Sequence, residues 1–394
     1  EYPNNLEKLE AEQMSVDLKS DSLERSLPSE WYTSDKVFCI EKEHIFSKEW
    51  ICAGREEYLP AVGDHKVLEI AGESVIVVRN ESDTLRAFYN VCRHRGAQLC
   101  STESDSHGIK LKGGVINGKI IACPYHAWSY NLDGNLINTP HLNTTEGFTH
   151  KNHALYPVGC EVWGGFFFLN LTPEQAPDFD ASISIFAERY HRYALENLIT
   201  GKVITYSVDA NWKVLCENYN ECYHCGPVHP ELCELVPAFR ERGGADLDWE
   251  NGVVHRPGAD TFSFSGKSKL TIFENLNEEE LDRHKGDLIY PNLFLSFAKD
   301  HVASFTLRPV SVDKTEVVCE FLFHPDEANQ PEARFADVVE FWDLVNKQDW
   351  TICSRVQRGI SSRVHEYGCF SPMEDYNLDI RRYVEDRIAP YIDH

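Results

Sequence analysis

Two short stretches constrain this chain more than any other feature: "VCRHRGAQLC" at 91–100 and "ACPYHAWSYN" at 122–131. Each holds one cysteine and one histidine, as Cys92-x-His94 and Cys123-x-x-His126. Thiolates and imidazoles paired at short spacing point to a metal, and zinc and iron–sulfur are the candidates. Zinc modules commonly pair like ligands, cysteine with cysteine and histidine with histidine. Mixed pairs suit a cluster of two unlike irons, one held by both cysteines and one by both histidines. Each loop must then reach both irons, which accounts for one Cys and one His in each. Neutral imidazole in place of thiolate removes negative charge and raises the potential, so the cluster would be a moderate electron carrier.

A chain of 394 residues has room for two or three domains with proper cores. The formal charge of −25 argues against nucleic acid, because phosphate binding needs clustered Lys and Arg. No apolar run reaches the roughly 18 residues of a membrane-spanning helix, so no membrane is expected. The polar, acidic start "EYPNNLEKLEAEQMSVDLKS" reads as neither a signal nor a basic transit peptide, and the expected location is cytoplasmic. Thirteen irregularly spaced cysteines in a long chain fit metal binding better than a disulfide framework. Cys39, Cys52, Cys319 and Cys369 are expected to be small buried hydrophobes.

Apolar spacing predicts a short helix at 36–50, then a β-rich region at about 52–165 whose loops carry both Cys/His pairs. A helix is expected at 181–197, followed by the strand "KVITYSV". Alternating runs over 288–323 predict an antiparallel sheet, and a long helix is expected at about 331–358. The fold class is α+β. Residues 1–51 are expected to form a helical segment packing on the third region, 52–165 a β-rich domain, and 166–394 a domain with an antiparallel sheet and a long C-terminal helix that closes the fold.

The second constellation lies in "ENYNECYHCGPVH" (217–229). Two histidines and one carboxylate leave three iron positions open, as non-haem oxygenases require. His224 and His229 are the candidate pair. Gly226-Pro227 between them should end the helix begun near 211. The carboxylate is expected on the late helix. Trp342, Val345, Ile352 and Val356 make an apolar stripe with Asp349 inside it, and a charge aimed at a core is costly unless paired or metal-bound. A zinc knuckle of Cys222, Cys225, His224, His229 and Cys233 is the competing reading; alternating residues of one helical turn cannot converge on one ion.

The motif C-x-H…C-x-x-H resembles that of Rieske [2Fe–2S] proteins. "NVCRHRG" with "CPYHAWSYNLDG" is similar to Rieske oxygenases in particular. "QDWTICSRVQRG" resembles the C-terminal iron-ligand motif of that family. The 28 residues between His94 and Cys123 exceed the family's usual spacing. The excess fits the polar stretch 101–113, whose neighbour Cys100 and own His107 are not expected to be ligands. The resemblance implies a [2Fe–2S] cluster on Cys92, His94, Cys123 and His126, and a mononuclear Fe(II) on His224, His229 and Asp349. It also implies a head-to-tail homotrimer in which an acidic residue, here Glu221, links a neighbour's cluster histidine to an iron-ligand histidine.

Glu221 would share a helix face with His224, one turn apart. Glu217, on that same face, is read either as a partner behind Glu221 or as exposed. Ring-hydroxylating dioxygenases usually carry Asp at the bridging position, whereas "ENYNECYHC" is similar to the carnitine, glycine betaine and choline monooxygenase branch. This implies the terminal oxygenase of a multicomponent system that uses O₂ to hydroxylate, N-demethylate or cleave a C–N bond in a quaternary ammonium compound. The alternative is an aromatic ring-hydroxylating oxygenase acting on an aromatic acid or arene. Tyr219 is the candidate pocket residue, since ammonium ions favour aromatic faces. No dinucleotide fingerprint or Walker loop is present, so electrons must come from a separate reductase, and the resemblance implies a flavin/iron–sulfur one fed by NAD(P)H. An electron-transfer or zinc-structured protein would use only the first pair of loops and leave the downstream residues without a task.

Overall fold

The computed structural model describes residues 23–392 apart from 102–112, 117, 143–144 and 246. Most of the 101–113 stretch and His107 therefore lie outside the described residues. Two antiparallel six-stranded sheets organise the chain. The first has the spatial order Ile51–Arg55, Phe166–Asn170, Pro157–Trp163, Leu85–Tyr89, Glu73–Arg79, His65–Ile70. On strand pairing this unit extends to Asn170, past the expected boundary at 165. A four-stranded sheet of Gly114–Ile116, Ile120–Ala122, Ser129–Asn131 and Leu136–Asn138 carries the second Cys/His loop.

The run Val75-Ile76-Val77-Val78 shows why the sequence is apolar without alternation there. Successive side chains point to opposite faces of a strand. Val75 and Val77 join the main core, while Ile76 and Val78 join a smaller core with Cys92, Cys123, Trp128 and Tyr130. Both faces are covered, so neither can be polar. Leu293–Phe297 repeats the arrangement in the second sheet. Leu293, Leu295 and Phe297 face one cluster of buried residues, and Phe294 faces the other.

The second sheet runs Ile199–Val208, Lys314–Phe323, Val302–Ser311, Leu293–Phe297, Arg283–Ile289, Val253–Val254. Four helices matter for the site: α1 (Phe179–Tyr190), α2 (Trp212–Tyr219), α3 (Ala336–Ile360) and α4 (Asn377–Ile392). The expected antiparallel sheet and long helix are both present. That helix starts at Ala336 rather than 331, after a 3₁₀ turn at Glu332–Arg334. The helix expected over 181–197 stops at Tyr190, where two 3₁₀ turns meet at Ala194 in the left-handed region, φ 46°. The helix expected over 36–50 is α-helical only over Asp35–Glu41 and continues as a π-helical turn to Phe46. The expectation for the cysteines fails in part: Cys52 and Cys319 are buried, but Cys39 and Cys369 are exposed.

Helix α2 is fixed from several sides. Asn211 caps it by accepting from Lys213 N at 3.0 Å, and its own backbone N–H donates to Gln357 Oε1 on α3 at 2.9 Å. Lys213, fully buried, pairs with buried Glu41, and Trp212 Nε1 donates to the same carboxylate at 2.9 Å. The N-terminal segment thus grips the helix that leads into the histidine loop. A buried pair of this kind loses several kcal/mol if one partner is removed. Among the described residues, no helix is long and apolar enough to cross a membrane.

Candidate functional site

The two Cys/His loops are the same turn built twice. Cys92 N donates to Ala97 O at 2.8 Å and Gly96 N to Cys92 O at 3.0 Å. Cys123 N donates to Trp128 O at 2.8 Å and Ala127 N to Cys123 O at 3.1 Å. Each turn needs a residue at positive φ, filled by Gly96 (75°) and by Ala127 (58°). For alanine that conformation costs about 1–2 kcal/mol. Both cysteines are buried and both histidines exposed. The His94 and His126 rings lie 4.7 Å apart, and His94 stacks on Trp128 at 4.8 Å.

This arrangement meets what a two-iron cluster of unlike irons needs: two sulfurs inside, two imidazoles at the surface, and donors aimed at sulfur. Burial raises the Cys123 thiol, while backbone N–H groups of Tyr125 and His126 act to lower it by hydrogen bonding to its sulfur. Cys92 Sγ lies 3.5 Å from the Tyr130 hydroxyl, which also accepts from Arg93 N. Hydrogen bonds to sulfur are a recognised control on cluster potential. Cys100 is buried with its thiol pushed up to about 11 by desolvation. Its backbone N–H donates to Asn90 Oδ1 at 3.0 Å.

The downstream residues converge across 120 positions of sequence. His229 Nε2 lies 2.9 Å and His224 Nε2 3.3 Å from the same Asp349 oxygen. Desolvation acts to lower the His224 pKa, yet hydrogen bonds to Asp349 and Glu221 raise it to about 10. Desolvation acts to raise Asp349, and bonds to both histidines hold it at about 2. One ionised carboxylate facing two imidazole Nε2 atoms is a donor set that suits a divalent iron. The remaining ring nitrogens are anchored: His224 Nδ1 donates to Glu221 Oε1 at 2.5 Å, and His229 Nδ1 to Gln348 Oε1 at 2.8 Å. Such anchoring fixes the tautomer and aims Nε2 inward. Cys225 Sγ also lies within 4.8 Å of ligand atoms of the two histidines. Its sulfur is bonded to Cys222, which removes it as a free thiolate and with it the zinc-knuckle reading.

Two expectations about this loop are corrected. Helix α2 ends at Tyr219 and does not continue to Gly226-Pro227, which instead lie inside a separate turn, Cys225–Val228. Glu221 and His224 therefore do not share a helix face. They meet in a turn that Glu221 itself organises, by accepting from the backbone N–H groups of Tyr223 and His224. The Cys222–Cys225 disulfide, which the sequence did not lead us to expect, closes the same turn. Glu217 is partly buried rather than exposed and accepts from the Tyr32 hydroxyl. On α3, Val356 is exposed, and Trp342, Val345, Asn346, Cys353 and Gln357 form the buried face around Asp349.

A cavity of about 510 Å³ adjoins His224, His229 and Asp349. Aromatic rings of Tyr219, Phe239, Trp249, Phe262, Phe294 and Phe305 wall it. Tyr219, the pocket residue expected from the sequence, stacks on Phe294 at 4.4 Å and donates its hydroxyl to Leu295 O at 2.8 Å. Sequence reasoning missed Asn218, whose amide lies 3.2 Å from His224 Nε2, and Gln348. Gln348 directly precedes Asp349 on α3, a position that could have flagged it.

Comparison with known proteins agrees with this geometry. Residues 49–150 match the Rieske [2Fe-2S] domain and residues 195–389 the ring hydroxylating alpha subunit (catalytic domain). The chain is 30% identical over 386 residues to the glycine betaine monooxygenase oxygenase subunit of Pseudomonas aeruginosa (strain UCBPP-PA14), covering 90% of this chain and 86% of that one. It is 30% identical over 350 residues to the carnitine monooxygenase oxygenase subunit of Escherichia coli (strain K12), covering 86% and 85%. Among solved structures it is similar to the quaternary ammonium Rieske monooxygenase CntA in complex with L-carnitine, with a TM-score of 0.70, 26% identity, and coverage of 93% and 96%. The chain belongs to the Rieske non-haem iron oxygenases, as an oxygenase (alpha) subunit that joins a [2Fe–2S] domain to a mononuclear-iron catalytic domain.

Proposed function

We propose that this chain is the terminal oxygenase that uses O₂ and reductase-derived electrons to monooxygenate a quaternary ammonium compound of the betaine, carnitine or choline type. The observation that carries this is the aromatic wall of the cavity beside His224, His229 and Asp349. Aromatic faces attract a desolvated quaternary ammonium by roughly 2 kcal/mol or more, without a hydrogen bond that the ion has no proton to make. Exposed Glu250 and Asp379 line the same cavity and favour entry of a cation. The relatives named for glycine betaine and carnitine point the same way.

In this reading Cys92, His94, Cys123 and His126 hold the cluster, and His224, His229 and Asp349 hold the iron. When bound, the cluster supplies single electrons and the iron supplies activation of O₂. Gln348 and Glu221 orient the two histidines through their Nδ1 hydrogens, and Asn218 crowds His224 Nε2 from the cavity side. Glu221 also serves as the link to a cluster histidine of a neighbouring subunit in a head-to-tail homotrimer. Exposed His94 and His126 present the cluster to that neighbour and to a separate flavin/iron–sulfur reductase drawing on NAD(P)H, in the cytoplasm.

Product analysis tests the reading. Given a reductase and NADH, the holoenzyme is expected to yield hydroxylated or demethylated product, or formaldehyde, from glycine betaine, carnitine or choline. Turnover of benzoate or naphthalene alone would replace it with the aromatic hydroxylase reading.

A further inference from the structure

Beyond its aromatic walls, the cavity lining holds an ion pair that the iron site does not use. Arg189, in the last turn of α1, donates through Nη1 to Asp287 Oδ2 on strand Arg283–Ile289. Among the described residues lining the cavity, Arg189 is the one Lys or Arg. Asp287 is held from behind by the Tyr190 hydroxyl at 2.6 Å, and the Tyr190 ring stacks on Phe297 at 3.8 Å inside the core. The pair is therefore fixed to two elements of the fold, α1 and the second sheet. Next to Asp287, Gly286 abuts Tyr219: a Cβ there would stand 3.0 Å from the Tyr219 hydroxyl oxygen.

Resting on the quaternary ammonium reading, we propose that Arg189 receives a carboxylate of the substrate, so that the preferred substrates are zwitterions carrying both a quaternary ammonium and a carboxylate. A guanidinium has five N–H donors in a rigid fork, and the bond to Asp287 uses one of them. The rest of the fork can take a carboxylate with charge-assisted hydrogen bonds. The Asp287 partner solves an electrostatic difficulty. An unpaired Arg in a cavity meant for an ammonium would repel it, whereas a neutralised pair keeps its donors and loses most of its long-range field. Of the other carboxylates of the lining, Glu221 is bonded to His224 and Asp349 to both histidines, while Glu250 and Asp379 are exposed, Asp379 beside Arg382. A zwitterion can thus place its ammonium against the aromatic rings and its carboxylate on Arg189. Choline fills only the first of these.

Titration calorimetry on the holoenzyme tests this, with glycine betaine, L-carnitine, choline and benzoate as ligands. Arg189→Gln is expected to weaken both zwitterions about 30-fold, the scale of losing a charge-assisted hydrogen bond, and to change choline less than about threefold. Arg189→Lys keeps the charge beside Asp287 but not the fork, and is expected to weaken the zwitterions about 5-fold with the melting temperature retained. The KM for zwitterions should rise with little change in kcat. Unchanged zwitterion affinity in Arg189→Gln overturns the proposal, as does a parallel loss of choline in Arg189→Lys. If the wild-type chain binds benzoate and no quaternary ammonium compound, the substrate class itself fails. If it binds choline as tightly as the zwitterions, that class stands and only the role of Arg189 fails.

Discussion

The Cys/His loops and the His/His/Asp site, the two donor sets we assign to iron, are built on opposite plans. In the first, two copies of one local turn carry all four donors, and each turn is closed by its own backbone hydrogen bonds within six residues. In the second, the donors come from a loop and from a helix 120 positions later, and buried side-chain contacts bring them together. Local closure leaves the histidines at the surface, where an electron partner can reach them. Long-range closure leaves its donors against a cavity, where a substrate can be shielded from water. The contrast suits the two roles we assign, electron delivery to the first site and reaction to the second.

The largest expected effect comes from breaking the long-range plan at its convergence point. Asp349→Ala should lower turnover on the order of 10³-fold or more and reduce iron from about three to about two per chain, leaving the cluster's visible spectrum intact. Loss of both metals in that variant would show that the two sites are not independent. Glu221→Gln should keep both metals and slow oxidation of the reduced cluster roughly 100-fold; normal turnover would strip Glu221 of its bridging role. Gln348→Leu removes the acceptor for His229 Nδ1 and should weaken iron binding about 10-fold by chelator competition, with cluster content unchanged.

The smallest effect concerns stability beneath the site. Burial pushes the Glu217 carboxyl from its ordinary 4.5 up to about 7. A carboxyl raised in the folded chain carries no folding penalty below about pH 4.5; the penalty grows as pH rises and is complete above about 7. Glu217→Gln should therefore gain on wild type by on the order of 1–3 kcal/mol between pH 4.5 and pH 8 in urea unfolding. A gap independent of pH would contradict the assignment.

The same contrast explains what the sequence disclosed. The pairing of Cys92, His94, Cys123 and His126 in two like turns was legible because the spacing within each loop is local. The approach of Asp349 to His224 and His229 was legible because a charge inside an apolar helical stripe needs a partner. Glu221 does meet His224, but not on the expected helix face, because a side chain capping its own loop competes with the helix and leaves no periodic trace. Gln348 and the Arg189–Asp287 pair depend on contacts 119 and 98 positions apart, and no local pattern encodes them. Helix α4, which ends the described chain, went unread since its polar and apolar residues form only a weak stripe around Ile380, Val384 and Ile388.

The most direct test needs no reductase. The cluster of the purified holoenzyme is reduced chemically, excess reductant is removed, oxygen is admitted, and the visible spectrum is followed with single candidate compounds. Glycine betaine or carnitine is expected to accelerate reoxidation and to yield hydroxylated or demethylated product. Acceleration by an aromatic acid alone would contradict it and make this chain a ring hydroxylase.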